Sequence, residues 1–426
     1  MKVTLAFGRD GAEIDIPAHV HASVLHAKSA EAAASADAAL AEALAHPIGT
    51  PSLLELARGK KTAAISICDI TRPAPNRIVL PHVLRTLEQA GVPRAGVVLL
   101  IATGLHRAAT PQELLEIVGP DILGQYAVVS HDARDVSSHL DLGTTRSGTH
   151  VLIDRRFIAS DLHLSLGFIE PHLMLGFSGG RKLVAPGLAG EATIKRLHSP
   201  FFMRDPQVVE GSFPDNPLHR ELLEIAAMAR HDFIVDVALT RSRQIARVFA
   251  GEPTAAHAAG VEFVRQATLA LLAAPVDAVV TTSAGYPLDL TYYQSVKGVT
   301  AASHIVKPGG RILLAAACQE GLGSPEFTNF VRRFPDAQAC LDTTEKEPVV
   351  IDQWQLEKLA LVASKASLAF CTPGIPLADR QYLWGPVFDR PDEAVAALCR
   401  ELPHGAHVAI IPEGPYVFSQ LAVAGT

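Results

Sequence analysis

Residues 167–182, GFIEPHLMLGFSGGRK, hold more reactive side chains than an ordinary surface loop would. His172, Ser178, Arg181 and Lys182 lie among closely spaced glycines, and His198 follows in the same excursion. In Ser178-Gly179-Gly180 the backbone N–H groups can approach an anion closely, with the cations of Arg181 and Lys182 beside them. That combination suggests a phosphate cradle. His172 and His198 add imidazoles, the side chain suited to proton transfer near neutral pH and to metal ligation.

Three more clusters sit where chemistry could happen. Asp69-Ile70-Thr71-Arg72-Pro73-Ala74-Pro75-Asn76 follows the apolar run KTAAISIC. Its prolines stiffen the loop, and Arg72 offers a planar fork that suits a carboxylate or a phosphate. Thr103-Gly104-Leu105-His106 follows VVLLIA, making His106 a candidate acid or base reached over a glycine. Tyr292-Tyr293-Gln294-Ser295-Val296-Lys297 opens a helix, and its Gln294 and Lys297, three apart, share a face that could meet an anionic substrate. Read singly, each is also compatible with a solvated turn, an exposed histidine or a wet helix surface.

Familiar motifs do not account for these residues. Gly176-Phe177-Ser178-Gly179-Gly180 fits G-x-S-x-G, but a nucleophile elbow needs a strand before the serine and a helix after it. Pro171 shortens the former, and Pro186-Gly187 cuts off the latter. The phosphate P-loop pattern fails because Arg181 stands where glycine must precede the lysine, and Leu183 replaces serine or threonine. Gly321-Leu322-Gly323 lacks the third glycine of a dinucleotide fingerprint, Glu326 holding its place.

The elements that must position these side chains are legible in outline. A chain of 426 residues implies two or three domains at roughly 150 residues each. With 48% hydrophobic and 19% charged residues it is a core-rich globular protein. Lys plus Arg at 37 against Asp plus Glu at 44 gives −7, which argues against nucleic acid and against a polybasic membrane role. At 6% aromatic content, base-stacking platforms are not expected either. The 5 cysteines are scattered without C-x-x-C, so neither a disulfide framework nor a thiolate zinc site is expected, whereas 18 histidines are a surplus. Arg9 and Asp10 interrupt the opening apolar residues, and no run approaches roughly 18 apolar residues. A cytoplasmic protein without a signal peptide or membrane span is the expectation.

An edge hairpin is expected from Val3, Leu5, Phe7 against Ile14, Ile16, and Ala-rich helices over 27–45 and 53–58. Strands follow at 61–68 and 97–102, each before a helix, at 79–90 and 111–118. After a helical stretch over 255–273 the rhythm resumes: strands at 278–281, 311–317 and 368–371, helices at 293–306 and 356–366. Strand–helix alternation predicts an α/β protein of two domains with largely parallel sheets and a cleft between them. The expected boundaries are 1–273 and 274–406, with a strand in the tail 407–426 returning to the first domain. Ligands of such sheets collect beyond the carboxyl ends of the strands.

Taken together, DITRPAPN, ATGLHR, EPHLMLGFSGGRK with the downstream His198, YYQSVKG, Trp354 in DQWQLEK and the closing PEGPYV resemble the nickel-pincer-nucleotide-dependent lactate racemase family. The resemblance spans nearly the whole chain in order and spacing. It implies a racemase or epimerase of a 2-hydroxy acid. A pyridinium-derived mononucleotide with thioacid groups and nickel would be tethered to Lys182, with nickel on a ring carbon, two sulfurs and His198; imidazole and soft sulfur suit that metal. It further implies cofactor contacts from Asp69, Ser178, Gly179, Gly180 and Arg181. His106 and His172 would be the acid/base pair on the two faces of the reacting carbon, one taking the hydroxyl proton as the Cα hydride passes to the cofactor and a 2-keto acid forms. Arg72, Tyr293, Gln294, Lys297 and Trp354 would bind substrate. The expected partners are the small hydroxy acid and the enzymes that make the cofactor. Leu175 and Ile70 depart from the family's usual residues and bear on pocket shape. Two other readings compete with this one: a serine hydrolase using Ser178, and a non-catalytic carrier of the nickel cofactor.

Overall fold

The computed structural model describes residues 1–28 and 30–422 of the chain. A short strand near the start, β1 (His21–Val24), leaves its neighbours in sequence to pair far down the chain. Next come β2 (Ala63–Cys68), β3 (Val97–Ala102), β4 (Ala127–Ser130), β5 (Leu162–Phe168), β6 (Phe233–Leu239) and β7 (Ile245–Gly251). These six form one sheet in the order β7-β6-β5-β2-β3-β4, parallel except for the antiparallel edge β7. The second sheet takes β8 (Val276–Thr282), β9 (Val306–Ala315), β10 (Ser367–Cys371), β11 (Val387–Phe388) and β12 (His407–Ile411), in the order β11-β10-β9-β8-β12-β1, all parallel.

Both sheets are α/β sheets in which the chain reverses its direction of growth. In the first, β2 leads to β3 and β4, and β5 then returns to the other side of β2. In the second, β8 leads to β9, β10 and β11, and β12 returns to the other side of β8. At such a switch point the flanking connections part and leave a crevice at the carboxyl ends. The central strands read AAISIC, LHLSLGF and VDAVVTT because both faces of a parallel sheet are covered.

The helices start and stop where capping chemistry dictates. Helix α1 spans Ala36–Ala45 rather than the expected 27–45. Ser35 accepts from the Ala38 N–H, so a favourable N-cap sets the start despite the alanines before it, and Ser29 lies outside the described residues. Helix α2 (Asn76–Gln89) follows the Asp69 loop. Helix α3 (Pro253–Thr268) ends before the expected 273, because Leu269–Leu272 pairs in parallel with Phe418–Leu421. Helix α4 (Tyr292–Ala302) follows β8 with Thr291 as cap, and α5 is Gln353–Ala363.

The chain divides into two compact bodies, and not at one point near 274. The first comprises residues 30–197 and 212–266; the second comprises 1–28, 198–211 and the chain from Ala267 on. The tail strand β12 joins the second body rather than the first, correcting that expectation. Within HVAII the last four residues are a continuous buried apolar run, and the strand fills an interior position between β8 and β1. The hairpin Lys2–Leu5 with Ala12–Asp15 joins the same body, with Leu5 and Ile14 in a core that includes Val280, Leu313 and Val408. Residues 423–426 of the tail lie outside the described residues. Among the described residues no helix is long and apolar enough to cross a membrane.

Ile65 sits at the centre of β2, fully buried between Leu99 and Leu164. Ile65→Ala is expected to cost about 2–5 kcal/mol, measured as the shift in urea-induced unfolding.

Candidate functional site

In the first body the site grows from the carboxyl ends of β2, β3 and β5. The loop after β2 begins with Asp69, buried at the strand end. Its Oδ2 lies 2.7 Å from His106 Nδ1, on the loop after β3, and its Oδ1 accepts from Thr71 Oγ1 at 2.6 Å. Burial works to raise the Asp69 carboxyl, yet the hydrogen bond and charge of His106, with Arg72 and Thr71, hold it below the ordinary carboxylate range. An ionised carboxylate accepts only, so His106 donates to it from Nδ1 and turns Nε2 away from the pair. The His106 side chain is 45% exposed, so the ring is within reach of a ligand. Asp69, expected with the cofactor contacts, thus orients the expected base. Arg72 is partly exposed on the same loop, bonded only locally, to the carbonyl and hydroxyl of Thr71 at 3.3 Å each.

After β5 the chain makes a two-residue ladder, Pro171–His172 against Gly176–Phe177. Gly176 is required there: φ is +72°, and a Cβ would stand 2.0 Å from the Ser212 carbonyl. Across the turn, the N–H groups of Met174 and Leu175 both donate to His172 Nδ1 at 3.3 Å. That nitrogen is therefore the acceptor, and a neutral ring carries its proton on Nε2. His172 Nε2 lies 2.8 Å from the Lys182 amine. A histidine donating to a lysine is compatible with an unprotonated amine, the nucleophilic form.

The Ser178–Lys182 turn is built from beneath. Arg181, 1% exposed, donates to the carbonyls of Leu175, Phe177, Ser178 and Gly179 at 2.8–3.3 Å. His257 Nε2 lies between the Arg181 guanidinium at 2.6 Å and the Ser178 carbonyl at 2.7 Å. Burial and the Arg181 charge hold His257 neutral, well below the ordinary range. The carboxyl that feels the Arg181 charge is Asp236, fully buried in β6. Burial pushes its carboxyl up to about 7, against the Arg181 charge and the Gly180 and Gly167 amides, which lean toward it without closing a regular hydrogen bond.

Two expectations change here. Arg181 faces inward, because its fork is spent on carbonyls, so Lys182 is the member of that pair left partly exposed. Ser178, Gly179 and Gly180 are buried, and the glycines have a reason inside the fold: at Gly179, φ +88°, a Cβ would lie 2.6 Å from Asp236 Oδ2. The Ser178 hydroxyl donates to the Phe168 carbonyl and accepts from the Glu170 N–H, both at 3.0 Å. It is a loop tie with no base upon it, which removes the serine-hydrolase reading. Sequence reasoning missed Asp236 and His257. A lone carboxylate in the middle of FIVDVAL was the available signal for the first. Both clusters converge on the end of β2, where burial first, and then the charges of Asp69, Arg72, Asp236 and Lys182, act on the Cys68 thiol and leave it at about 12.

The second body holds the other expected residues. Tyr293, Gln294 and Lys297 are the partly exposed positions at the start of α4, while Ser295, Val296 and Val299 face its core. Gln294 Oε1 is buried with no hydrogen-bond partner among the described residues, an orphaned acceptor that a donor would satisfy. Trp354, in the first turn of α5, donates from Nε1 to the Tyr293 hydroxyl at 3.3 Å. Its ring lies 4.4 Å from that of His198, inclined at 39°. Trp354 is thus the packing partner of His198. Among the described residues no cluster of three or more His, Cys, Asp or Glu side chains could hold a bare metal ion.

Comparisons with known proteins place the chain in a family. Residues 7–211 match the lactate racemase N-terminal domain and residues 271–418 the lactate racemase C-terminal domain. The lactate racemase of Thermoanaerobacterium thermosaccharolyticum is 36% identical over 365 residues, covering 84% of this chain and 85% of that protein. The lactate racemase of Lactiplantibacillus plantarum is 35% identical, with 88% of each covered. A structure of the former's apoprotein superposes with a TM-score of 0.92 at 32% identity over 99% of this chain and all of that one. A protein of Thermotoga maritima, at a TM-score of 0.65 and 16% identity over 87% of this chain and 96% of that one, shares the fold alone.

Gly179→Ala is expected to destabilise by more than the roughly 1–2 kcal/mol of left-handed backbone strain, because the methyl also meets Asp236. Gly59→Ala, at φ +77° in open space, is the control for strain alone, and thermal unfolding of both variants provides the comparison.

Proposed function

The chain belongs to the lactate racemase family and is an isomerase of the racemase type; on that premise we propose that it interconverts the stereoisomers of a 2-hydroxy acid using a nickel-pincer nucleotide held at Lys182 and His198. Lactate is the first substrate to try. The observation that carries the reading is the Asp69–His106 pair, a histidine with one nitrogen tied to a buried carboxylate and its ring within reach of a ligand.

The residues fit the cofactor. Lys182 places its amine 2.8 Å from the His172 ring, and in its unprotonated form it is the nucleophile that a covalent tether needs. His198 offers an imidazole braced by an indole, and one protein ligand suffices where the cofactor brings its own carbon and sulfur donors. When bound, that nucleotide would accept and return the hydrogen at C2, so that the substrate passes through its planar 2-keto acid.

The chain's own residues handle the protons and the carboxylate. His106, oriented by Asp69, takes the hydroxyl proton at Nε2 on one face and returns it in the reverse direction. His172, with its proton on Nε2, has the complementary starting state, so the two histidines begin as base and acid. An imidazole serves in either sense with little penalty near neutral pH. Arg72 presents two parallel N–H groups to the substrate carboxylate. Lys297 and Gln294, from α4, bind the carboxylate and hydroxyl oxygens, and Tyr293 with Trp354 forms the aromatic border. The enzymes that make the cofactor are required partners for activity.

Coexpression with those enzymes is expected to give wild-type protein one nucleotide adduct and nickel, and Lys182→Ala neither, by intact mass and elemental analysis. An unchanged adduct in the variant contradicts the tether. His106→Ala is expected to keep the adduct while lowering racemisation by about 100-fold or more, the scale of a lost general base. Chiral chromatography of the product mixture measures it.

A further inference from the structure

The backbone leaves the first body after Leu197 and returns at Ser212, and between them residues 198–211 belong to the second body. His198 is the first residue of this excursion, whose only helix is the short turn Pro200–Met203. With no strand pairing to place it, side chains must do so. Three of its contacts mark its start, middle and end. At its start, His198 packs on Trp354. At its end, Gly211 lies against the ring of Phe418, where a Cβ would stand 1.8 Å from a ring carbon. In its middle, Lys358 donates from one ammonium to the carbonyls of Met203 and Val208, both at 2.6 Å.

Lys358 is 4% exposed, in a helix whose neighbours Leu356, Leu359 and Ala360 are core residues. Burying an ammonium there is costly unless it is paired, and leucine or methionine would fill the space without that cost. The adjacent Glu357, fully buried, accepts from Arg204 Nε at 2.7 Å, and Arg204 also donates to Thr344 Oγ1 at 2.9 Å. Trp354 and Lys358 are four apart on α5, hence on one face of it. One stripe of α5 therefore grips the excursion at His198 and again at Met203 and Val208.

We propose that Lys358, seconded by the Glu357–Arg204 pair, is a positioning residue that sets the His198 imidazole on Trp354 and so presents it to the metal. The proposal rests on the reading of His198 as the nickel ligand, and its test is chosen to separate the two.

The probe is acrylamide quenching of Trp354 fluorescence in full-length protein expressed without cofactor, in a Trp384→Phe background that leaves Trp354 as the sole tryptophan. His198→Ala uncovers the indole and is the reference for full release. Lys358→Met, which keeps the stem and removes the charge, is expected to raise the quenching constant at least roughly twofold, toward that reference, with cooperative unfolding retained. Glu357→Gln should move it less, in the same direction, and carries the test should Lys358→Met not fold. Quenching unchanged in both variants overturns the proposal, as does quenching unchanged in His198→Ala, since the imidazole would then not cover the indole. In holoenzyme, Lys358→Met should weaken nickel retention about 10-fold, as loss of a ligand's support does, with the Lys182 adduct intact. Wild-type adduct without nickel would fail the reading of His198, leaving the cofactor-free comparison to judge the clamp.

Discussion

A charge that water cannot reach organises the first body's share of the site. The Arg181 guanidinium is buried, and its N–H groups gather four carbonyls from residues 175–179. Carbonyls converging on one point force the chain into a tight turn, and the Arg181 charge acts on the buried Asp236 carboxyl of β6. The same turn brings Lys182 to His172. Side-chain packing alone would not fix this backbone, because Gly176, Gly179 and Gly180 have none to offer. A buried guanidinium is costly unless its N–H groups are satisfied, so losing these carbonyls would strand it and the turn has few alternatives.

The histidines acquire distinct chemistry from their neighbours rather than from their own pKa. His106 has a carboxylate on Nδ1, which leaves Nε2 for other partners. His172 has backbone N–H groups on Nδ1 and is a donor at Nε2. His257 sits beside a buried cation and stays neutral. His198 is braced by an indole. Of 18 histidines, these few matter to the site for reasons found one hydrogen bond away.

The α/β class and most central strands were legible in the sequence, because parallel strands buried on both faces leave continuous apolar runs such as AISIC and VVLLIA. The loops that follow them were legible as well, since polar clusters after such runs fall at carboxyl ends. The partition into bodies was not. It depends on β1 and β12 lying side by side across nearly the whole chain, and on a short excursion at residues 198–211 changing bodies, neither of which has a local signature. The glycines of SGGRK suggested a ligand cradle, whereas their tightest contacts are with Asp236 and His257 of the same body. Local spacing shows that a backbone must come close to something, not what that something is.

The central claim is that this chain moves the C2 hydrogen of a 2-hydroxy acid as a unit while histidines move only the hydroxyl proton. Racemisation of lactate deuterated at C2, by cofactor-loaded protein in ordinary water, tests it most directly. The account predicts that deuterium stays at C2 in both enantiomers as they interconvert. Loss of the label to water at the rate of racemisation would mean that C2 gives up a proton instead, and would contradict it.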